Sequence, residues 1–319
     1  EFLLVLDDYH AIQSPAVHES FRFFLEHIPD TVHVVLVTRI DPPFSLGRLR
    51  ADGELSEIRA ADLQFSIKET GDFLRRVMNL DLSEQQITEL EKLTEGWAVG
   101  LKLAGLSLQR QEEYASFIRA FTGSHKFILE YLTEEILHSL SESRRSFLLR
   151  TSILESFSAP LCDAVLKTTD SRSAIDELQS DNLFVVPLDF SGEWFRYHHL
   201  FSQLLQALLR RDFAAMIPEL HLEAATWYRK TGQLSQAVEH AFRSGDLEEA
   251  RDYVLNHWND MLHTGGVTTV LKWVKQLPEE MVQTDIYLAL ANCWARHLTG
   301  QTLDMAPYVN YANAELERH

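Results

Sequence analysis

The chain has 319 residues, 45% hydrophobic and 24% charged, with 47 Asp and Glu against 29 Lys and Arg, for a net charge of −18. That length predicts two or three domains rather than one core, and an acid excess of this size repels phosphate backbones, which makes the segment a poor direct reader of nucleic acid. No apolar run reaches the ~18 residues needed to span a bilayer, no basic stretch opens a secretory leader, and Cys162 and Cys293 lie far apart, so the expectation is a reducing, cytoplasmic setting without disulfides or membrane contact.

Phe2–Leu6 is a continuous apolar run that predicts a buried strand, and it ends in Asp7-Asp8. Ser14-Pro15 then supplies an N-cap and an N1 proline, with Val17, Phe21, Phe24, Leu25 and Ile28 at helical spacing. His33–Val37 predicts a second buried strand, so the opening reads as a right-handed parallel β-α-β crossover. An extended piece near Glu57–Arg59 closes a small α/β part that stops near Asp62. Two capping boxes, Ser66-x-x-Glu69 and Ser83-x-x-Gln86, open helices; Gly96 ends the second, and Trp97, Leu101, Ala104 and Leu108 begin the next stripe.

Helices near Phe147–Ile153, Ala159–Leu166 and Ser173–Gln179 precede two alternating runs, Phe184/Val186/Leu188 and Phe195/Tyr197, with Asp189–Glu193 as the hairpin loop between them. Three helices and a hairpin are the elements of a winged helix; a long helix, His198–Arg211, follows. Past Pro218, Gly232-x-Leu234-x-x-Ala237 returns as Gly245-x-Leu247-x-x-Ala250 and loosely as Gly300-x-x-Leu303-x-x-Ala306, which predicts a helical repeat array. Asn313–His319 carries no capping signal, so the array is expected to continue. The fold class is therefore mainly α with a partial α/β start, divided as 1–62, 63–140, 141–217 and 218–319.

Three places could carry chemistry. Asp7 and Asp8, at a strand end, suit Mg²⁺ binding and polarisation of an attacking water; the plainer reading is that Asp8 opens a turn with Tyr9-His10. Arg39, after the second strand, shares that sheet edge and could meet a γ-phosphate or pair with one of the aspartates. His198, at a helix start, could donate to a phosphate, or be a cap or packed ring; with His199 it diverges by about 100° and does not make a metal pair. Trp194, Tyr197, Trp227, Tyr228, Trp258, Trp273 and Trp294 read as inter-helix core, with a partner groove as the alternative.

With these segments in order, the chain resembles the central portion of MalT-type, LuxR-family ATP-dependent transcriptional regulators, which are STAND-class signalling NTPases. Leu3-Leu-Val-Leu-Asp-Asp-Tyr-His10 is similar to their Walker B strand, and Val35-Leu-Val-Thr-Arg-Ile-Asp-Pro-Pro43 to their sensor strand. Thr94-Glu-Gly-Trp-Ala-Val-Gly-Leu101 resembles the start of their helical domain, and Phe195-Arg-Tyr-His-His-Leu-Phe201 their winged-helix motif. The resemblance implies the C-terminal part of a P-loop NTPase sheet, a helical domain, a winged helix and TPR-like repeats. It implies a switch driven by ATP and an inducer, from a closed ADP-bound monomer to a self-associating transcriptional activator.

Carried over, Asp7 is the Mg²⁺-linked carboxylate, Asp8 the water-polarising one and Arg39 the γ-phosphate sensor. Trp97-Ala98 lies near the adenine, and His198 tethers the winged helix to the ADP β-phosphate. Related switch proteins carry proline where Ala98 stands and Asp where His199 stands. No Gly-x-x-x-x-Gly-Lys-[Ser/Thr] loop occurs in the chain; the resemblance places that loop before Glu1 and a DNA-binding helix-turn-helix after a longer array. The chain as given is then not expected to hydrolyse ATP on its own, and DNA is met only through the missing domain. A different class stays open: a repeat scaffold that binds a protein or peptide with no nucleotide dependence.

Overall fold

The computed structural model describes residues 1–29, 31–109, 111, 113–121, 126–301 and 305–316. They form two compact units, residues 1–145 with 172–207, and residues 146–171 with 208–319. Most of the chain is helical, with two small sheets among the described residues.

The first unit opens with β1 (Phe2–Leu6), α1 (Pro15–His27) and β2 (Val32–Leu36), the expected β-α-β crossover. The strands are parallel, with Phe2 opposite Val32 and Leu6 opposite Leu36. Neither strand is buried as its apolar sequence predicts. Phe2 is 75% and Leu3 65% exposed, Val35 and Val37 are exposed, and α1 has no buried residue. Two strands and one helix have too few partners to cover a sheet on both faces, the condition under which a run this apolar is normally found. Among the described residues the Glu57–Arg59 stretch pairs with no strand; after α2 (Gly47–Ala51) it is held by ion pairs instead, Arg50 to Glu57 and Arg59 to both Asp41 and Glu57.

Both capping boxes form. Ser66 accepts from the Glu69 amide at the head of α3 (Ile67–Asp72), and Ser83 from the Gln86 amide at the head of α4 (Glu84–Thr94), with the reciprocal bonds present. A π-turn over Phe73–Val77 follows α3, burying Leu74 and leaving Val77 outside. With α5 (Ala98–Leu108), α6 (Tyr114–Ala120) and α7 (Lys126–Glu135), these helices enclose Leu74, Ile87, Leu90, Leu101, Ile118 and Ile128, all fully buried.

Next along the chain come α8 (Glu142–Thr151), α9 (Ala159–Leu166), α10 (Ser171–Ser180), the antiparallel hairpin β3 (Val185–Pro187) and β4 (Phe195–Tyr197), and α11 (His199–Asp212). This is the winged-helix order. Asp189 closes the hairpin loop by accepting the amides of Glu193 and Trp194 at 3.0 Å. The expected alternation of Phe184, Val186 and Leu188 does not make a buried strand face. Phe184 instead leaves the strand in a left-handed conformation, φ 56°, and Leu188 is 50% exposed.

In the second unit α9 packs on α12 (Ile217–Lys230), and Lys167 ties its end to Glu219 at 2.7 Å and Glu223 at 3.0 Å. The array continues as α13 (Leu234–Arg243), α14 (Leu247–His263), α15 (Val267–Gln276), α16 (Glu279–Thr284), α17 (Ile286–Leu298) and α18 (Ala306–Leu316). Ala224, Ala237, Ala250, Ala289 and Ala295 have no exposed surface, and such small side chains let neighbouring helices approach closely.

The repeat register differs from the Gly-x-Leu-x-x-Ala echo. Ala237 and Ala250 are buried, but Ala306 is exposed, and Leu303, like the end of Asn313–His319, lies outside the described residues. The recurring unit is Thr-Gly, at Thr231-Gly232, Thr264-Gly265 and Thr299-Gly300, 33 and 35 residues apart. Each threonine hydroxyl donates to the carbonyl four residues back, and each glycine takes φ of 74° to 86°. This stop lies between the two helices of each pair, α12/α13, α14/α15 and α17/α18, at the period of a tetratricopeptide-type unit. Of the aromatic residues expected in the core, Tyr197, Tyr228 and Trp273 are buried, whereas Trp294 is 52% exposed.

Candidate functional site

All six candidate residues, Asp7, Asp8, Arg39, Trp97, Ala98 and His198, lie in the first unit. Backbone bonds join the two strand ends: the Val37 amide donates to Leu6 O at 2.9 Å, and the Tyr9 amide to Val37 O at 3.1 Å. Asp7 is exposed, and its Oδ1 accepts the Asp8 amide at 2.9 Å. Asp8 takes φ 52° and starts the turn Tyr9–Ala11 with its carbonyl, while its side chain caps nothing and faces His10 at 3.9 Å. The same His10 ring accepts the Arg39 amide at 3.5 Å, which brings Asp8 and Arg39 to one edge. Tyr9 anchors that edge: 2% exposed, it bonds His18 at 3.0 Å and packs against Phe21 and Phe44. The Arg39 guanidinium is exposed and forms no ion pair with described residues.

Trp97, Ala98 and His198 form a second group. At the end of α4, Glu95 and Gly96 are both left-handed, φ 50° and 68°, and turn the chain into α5. Gly96 is required there, because a Cβ would overlap the Phe65 carbonyl oxygen, and its own carbonyl accepts the Phe65 amide at 2.8 Å. Trp97 is the N-cap of α5 and Ala98 its first residue; no side chain caps this end, so the helix's open amides present its positive pole. Gly100 leaves room for the Trp97 ring, whose Cε3 would lie 2.6 Å from a Cβ.

His198 sits immediately before α11 and is 5% exposed. Its Nε2 lies 3.0 Å from the Thr94 carbonyl, so Nε2 carries the proton and donates. Nδ1 is buried with no hydrogen-bond partner among the described residues, a condition that costs roughly 1–3 kcal/mol unless something satisfies it. Burial pulls the His198 pKa below its usual value, opposed by Glu95 and the Thr94 carbonyl and assisted by Arg196 and His199. The ring packs edge-on against Trp97 at 6.0 Å and Phe184 at 5.6 Å. It is a packed ring whose second nitrogen no described residue bonds.

Four residues that the sequence reading passed over complete the site. Arg196 makes a bidentate pair with Glu95, both contacts 2.8 Å, and Glu95 also accepts the His199 amide at 2.9 Å. Burial would raise the Glu95 carboxyl, but these bonds and the nearby His198 hold it below the ordinary range. Asn182 donates to the Arg39 carbonyl. The Phe184 amide donates to Asn182 O at 3.0 Å, and Phe184 O accepts the His198 amide at 2.8 Å. Asn182 and Phe184 are both left-handed, φ 51° and 56°, a strained state for phenylalanine that persists only where its surroundings fix it. This segment connects the end of β2 to the packed pair of Trp97 and His198.

Among the described residues no group of three or more His, Cys, Asp or Glu is arranged to hold a metal. A Mg²⁺ held with a nucleotide needs only one or two protein carboxylates, and Asp7 is the residue that would supply one. The uncapped start of α5 suits an anion, and Nδ1 of His198 could donate to a phosphate group once it takes up a proton.

Residues 133–217 match the family model of the MalT winged helix domain. Among solved structures, the chain is similar to a Signal Transduction ATPase with Numerous Domains (STAND) protein with a tetratricopeptide repeat sensor from Pyrococcus horikoshii. Identity is 13%, the TM-score is 0.46, and the match covers 97% of this chain and 42% of that one. The chain thus spans less than half the length of that protein. No helix among the described residues is long and apolar enough to cross a membrane.

Proposed function

We propose that this chain is the regulatory core of an ATP-dependent, inducer-responsive transcriptional activator of the MalT type, and that its first unit holds a nucleotide. In this reading Asp7 holds Mg²⁺, Asp8 orients the attacking water, and Arg39 answers to the γ-phosphate. Trp97 and Ala98 flank the base, and His198 donates through Nδ1 to the phosphate of ADP. The bound Mg²⁺–nucleotide supplies the charge that Arg39 and His198 would read. A phosphate-binding loop is absent from these 319 residues, so the proposal includes one upstream of Glu1 and a DNA-binding domain beyond the array. The second unit is where an inducer would act, and self-association would follow ATP binding.

The observation that carries this reading is the buried, unpartnered Nδ1 of His198, set against Trp97 and connected through Phe184 and Asn182 to Arg39. Calorimetry with ATP and ADP on the chain extended upstream tests it. His198→Ala should weaken ADP more than ATP and raise basal activation, and Arg39→Ala should weaken the ATP-driven response while the fold persists. Binding of both nucleotides unchanged in both variants refutes the assignment. Absence of any nucleotide heat would leave a repeat scaffold.

A further inference from the structure

The end of α4 gathers its polar bonds onto one place, the corner where β4 turns into α11. Thr94, the last residue of α4, offers its carbonyl to His198 Nε2 at 3.0 Å. The next residue, Glu95, takes both Arg196 terminal nitrogens at 2.8 Å and the His199 amide at 2.9 Å. Two consecutive residues thus hold Arg196, His198 and His199. Among the described residues none of α8 to α11 packs closely along α3 to α7, so this junction depends on side chains rather than on a helix interface.

Beneath these bonds lies an aromatic seam. Trp97 packs against Tyr131 at 5.9 Å on its own side, and across the corner against Phe184 at 5.3 Å and His198 at 6.0 Å. Release of the corner from α4 would bare these rings together, and apolar surface bared in one patch is driven to find a partner. Two opposing forces meet here. Phe184, whose carbonyl accepts the His198 amide, is held left-handed at φ 56°, a strain that favours movement of the corner. The two-pronged pair of Arg196 and Glu95, half-buried and so weakly screened by salt, favours the seated position.

We propose that the Glu95–Arg196 pair is an autoinhibitory clasp, which keeps the β4–α11 corner seated on α4 and, when it parts, exposes His198 and bares the Trp97–Phe184 seam for association with a second copy of the chain. This rests on the switch reading only in taking the self-associating form as the active one. Its test uses no nucleotide, so failure of the clasp shows in labelling and failure of the nucleotide reading in calorimetry. Diethyl pyrocarbonate labelling of His198 near pH 7.5, read by tandem mass spectrometry with the exposed His199 as internal reference, measures opening. Sedimentation velocity of the same samples measures association. A half-buried pair is worth about 2 kcal/mol, which is about 30-fold in the open population at 1.4 kcal/mol per decade. Arg196→Ala should therefore label about 30-fold faster than the unaltered chain and shift toward larger species. Arg196→Lys, which keeps the charge without the two-pronged bond, should label at an intermediate rate, and it decides the case if Arg196→Ala loses its cooperative melting. Arg144 is the control: it bonds Glu177 and Asp181 at 2.7 Å each and is as exposed as Arg196, 33% against 34%, but does not touch the corner. Arg144→Ala should label and sediment as the unaltered chain does. The inference is overturned if Arg196→Ala labels at the unaltered rate, if Arg144→Ala labels as fast as Arg196→Ala, or if faster labelling brings no larger species.

Discussion

Replacing Glu95 should unfasten the corner on which the Trp97 and His198 rings pack. The carboxylate accepts from both Arg196 terminal nitrogens at 2.8 Å and from the His199 amide at 2.9 Å. Glu95 is 19% and Arg196 34% exposed at the side chain. Breaking a fully buried pair costs about 3–5 kcal/mol, and a solvent-exposed pair contributes about 0–1; this half-buried one falls between, at about 2 kcal/mol for Glu95→Ala. Glu95→Gly loses the same bonds but relieves the left-handed backbone, φ 50°, whose strain is about 1–2 kcal/mol, offset in part by the added freedom of the unfolded chain. The glycine variant should thus be milder by about 1 kcal/mol. Native-state hydrogen exchange at the amides of Trp97, His199 and Ser202 reads this directly. A loss of 2 kcal/mol is about a 30-fold faster exchange, since 1.4 kcal/mol is tenfold. Unchanged exchange in Glu95→Ala, or equal effects of alanine and glycine, would refute the reasoning.

Two further outcomes are expected. Gly96→Ala places a Cβ on the Phe65 carbonyl in a left-handed turn and should cost about 3 kcal/mol, read as a lowered urea midpoint with Trp97 fluorescence; a loss below half that contradicts the steric account. In the second unit, His221 and His240 face each other Nδ1 to Nδ1 at 2.9 Å, both buried, so neutral rings of opposite tautomer share one proton. Burial, with Arg243 nearby, draws His221 to about 4, and burial with His221 and Arg243 draws His240 to about 3. Because the folded values lie below the unfolded one of about 6.5, the unfolded chain binds protons first on acidification. Stability is then complete above pH ~6.5 and falls toward pH 4, by at most about 1.4 kcal/mol per pH unit for each histidine. Urea unfolding followed at Trp227 and Trp258 between pH 7.5 and 5 should show this slope, flattened in His221→Asn; an identical slope in the variant rules the pair out as its source.

Much of the architecture was legible because its signals are local. The capping boxes at Ser66 and Ser83, the Ser14-Pro15 start and the Asp189 hairpin loop each depend on residues within a turn of one another. Burial of β1 was misread because an apolar strand states what it can pack against, not whether the packing layer is present. The repeat register was misplaced because glycine ends many helices in left-handed geometry, Gly245 as well as Gly232, and only the Thr-Gly pair marks the same turn of every repeat. At the site, Asp7, Arg39 and His198 stand out by type and position, whereas Glu95 and Arg196 lie 101 residues apart and neither is unusual in its own stretch. Asn182 offered a local signal, an Asn in a helix-to-strand turn, but Phe184 in a left-handed conformation has no sequence signature.

The central claim is that a phosphate meets the bare nitrogen of His198. With Nε2–H given to Thr94, Nδ1 can donate only after taking a proton, and burial keeps that proton off in the ligand-free protein. ADP titrations at pH 8 in Tris and in HEPES, on the chain extended upstream, count protons through the difference in buffer heat. The account requires close to one proton taken up per ADP, and none in His198→Gln, whose amide keeps the Thr94 bond without supplying the second nitrogen. ADP binding with the same heat in both buffers, or the same proton uptake in the variant, would contradict it.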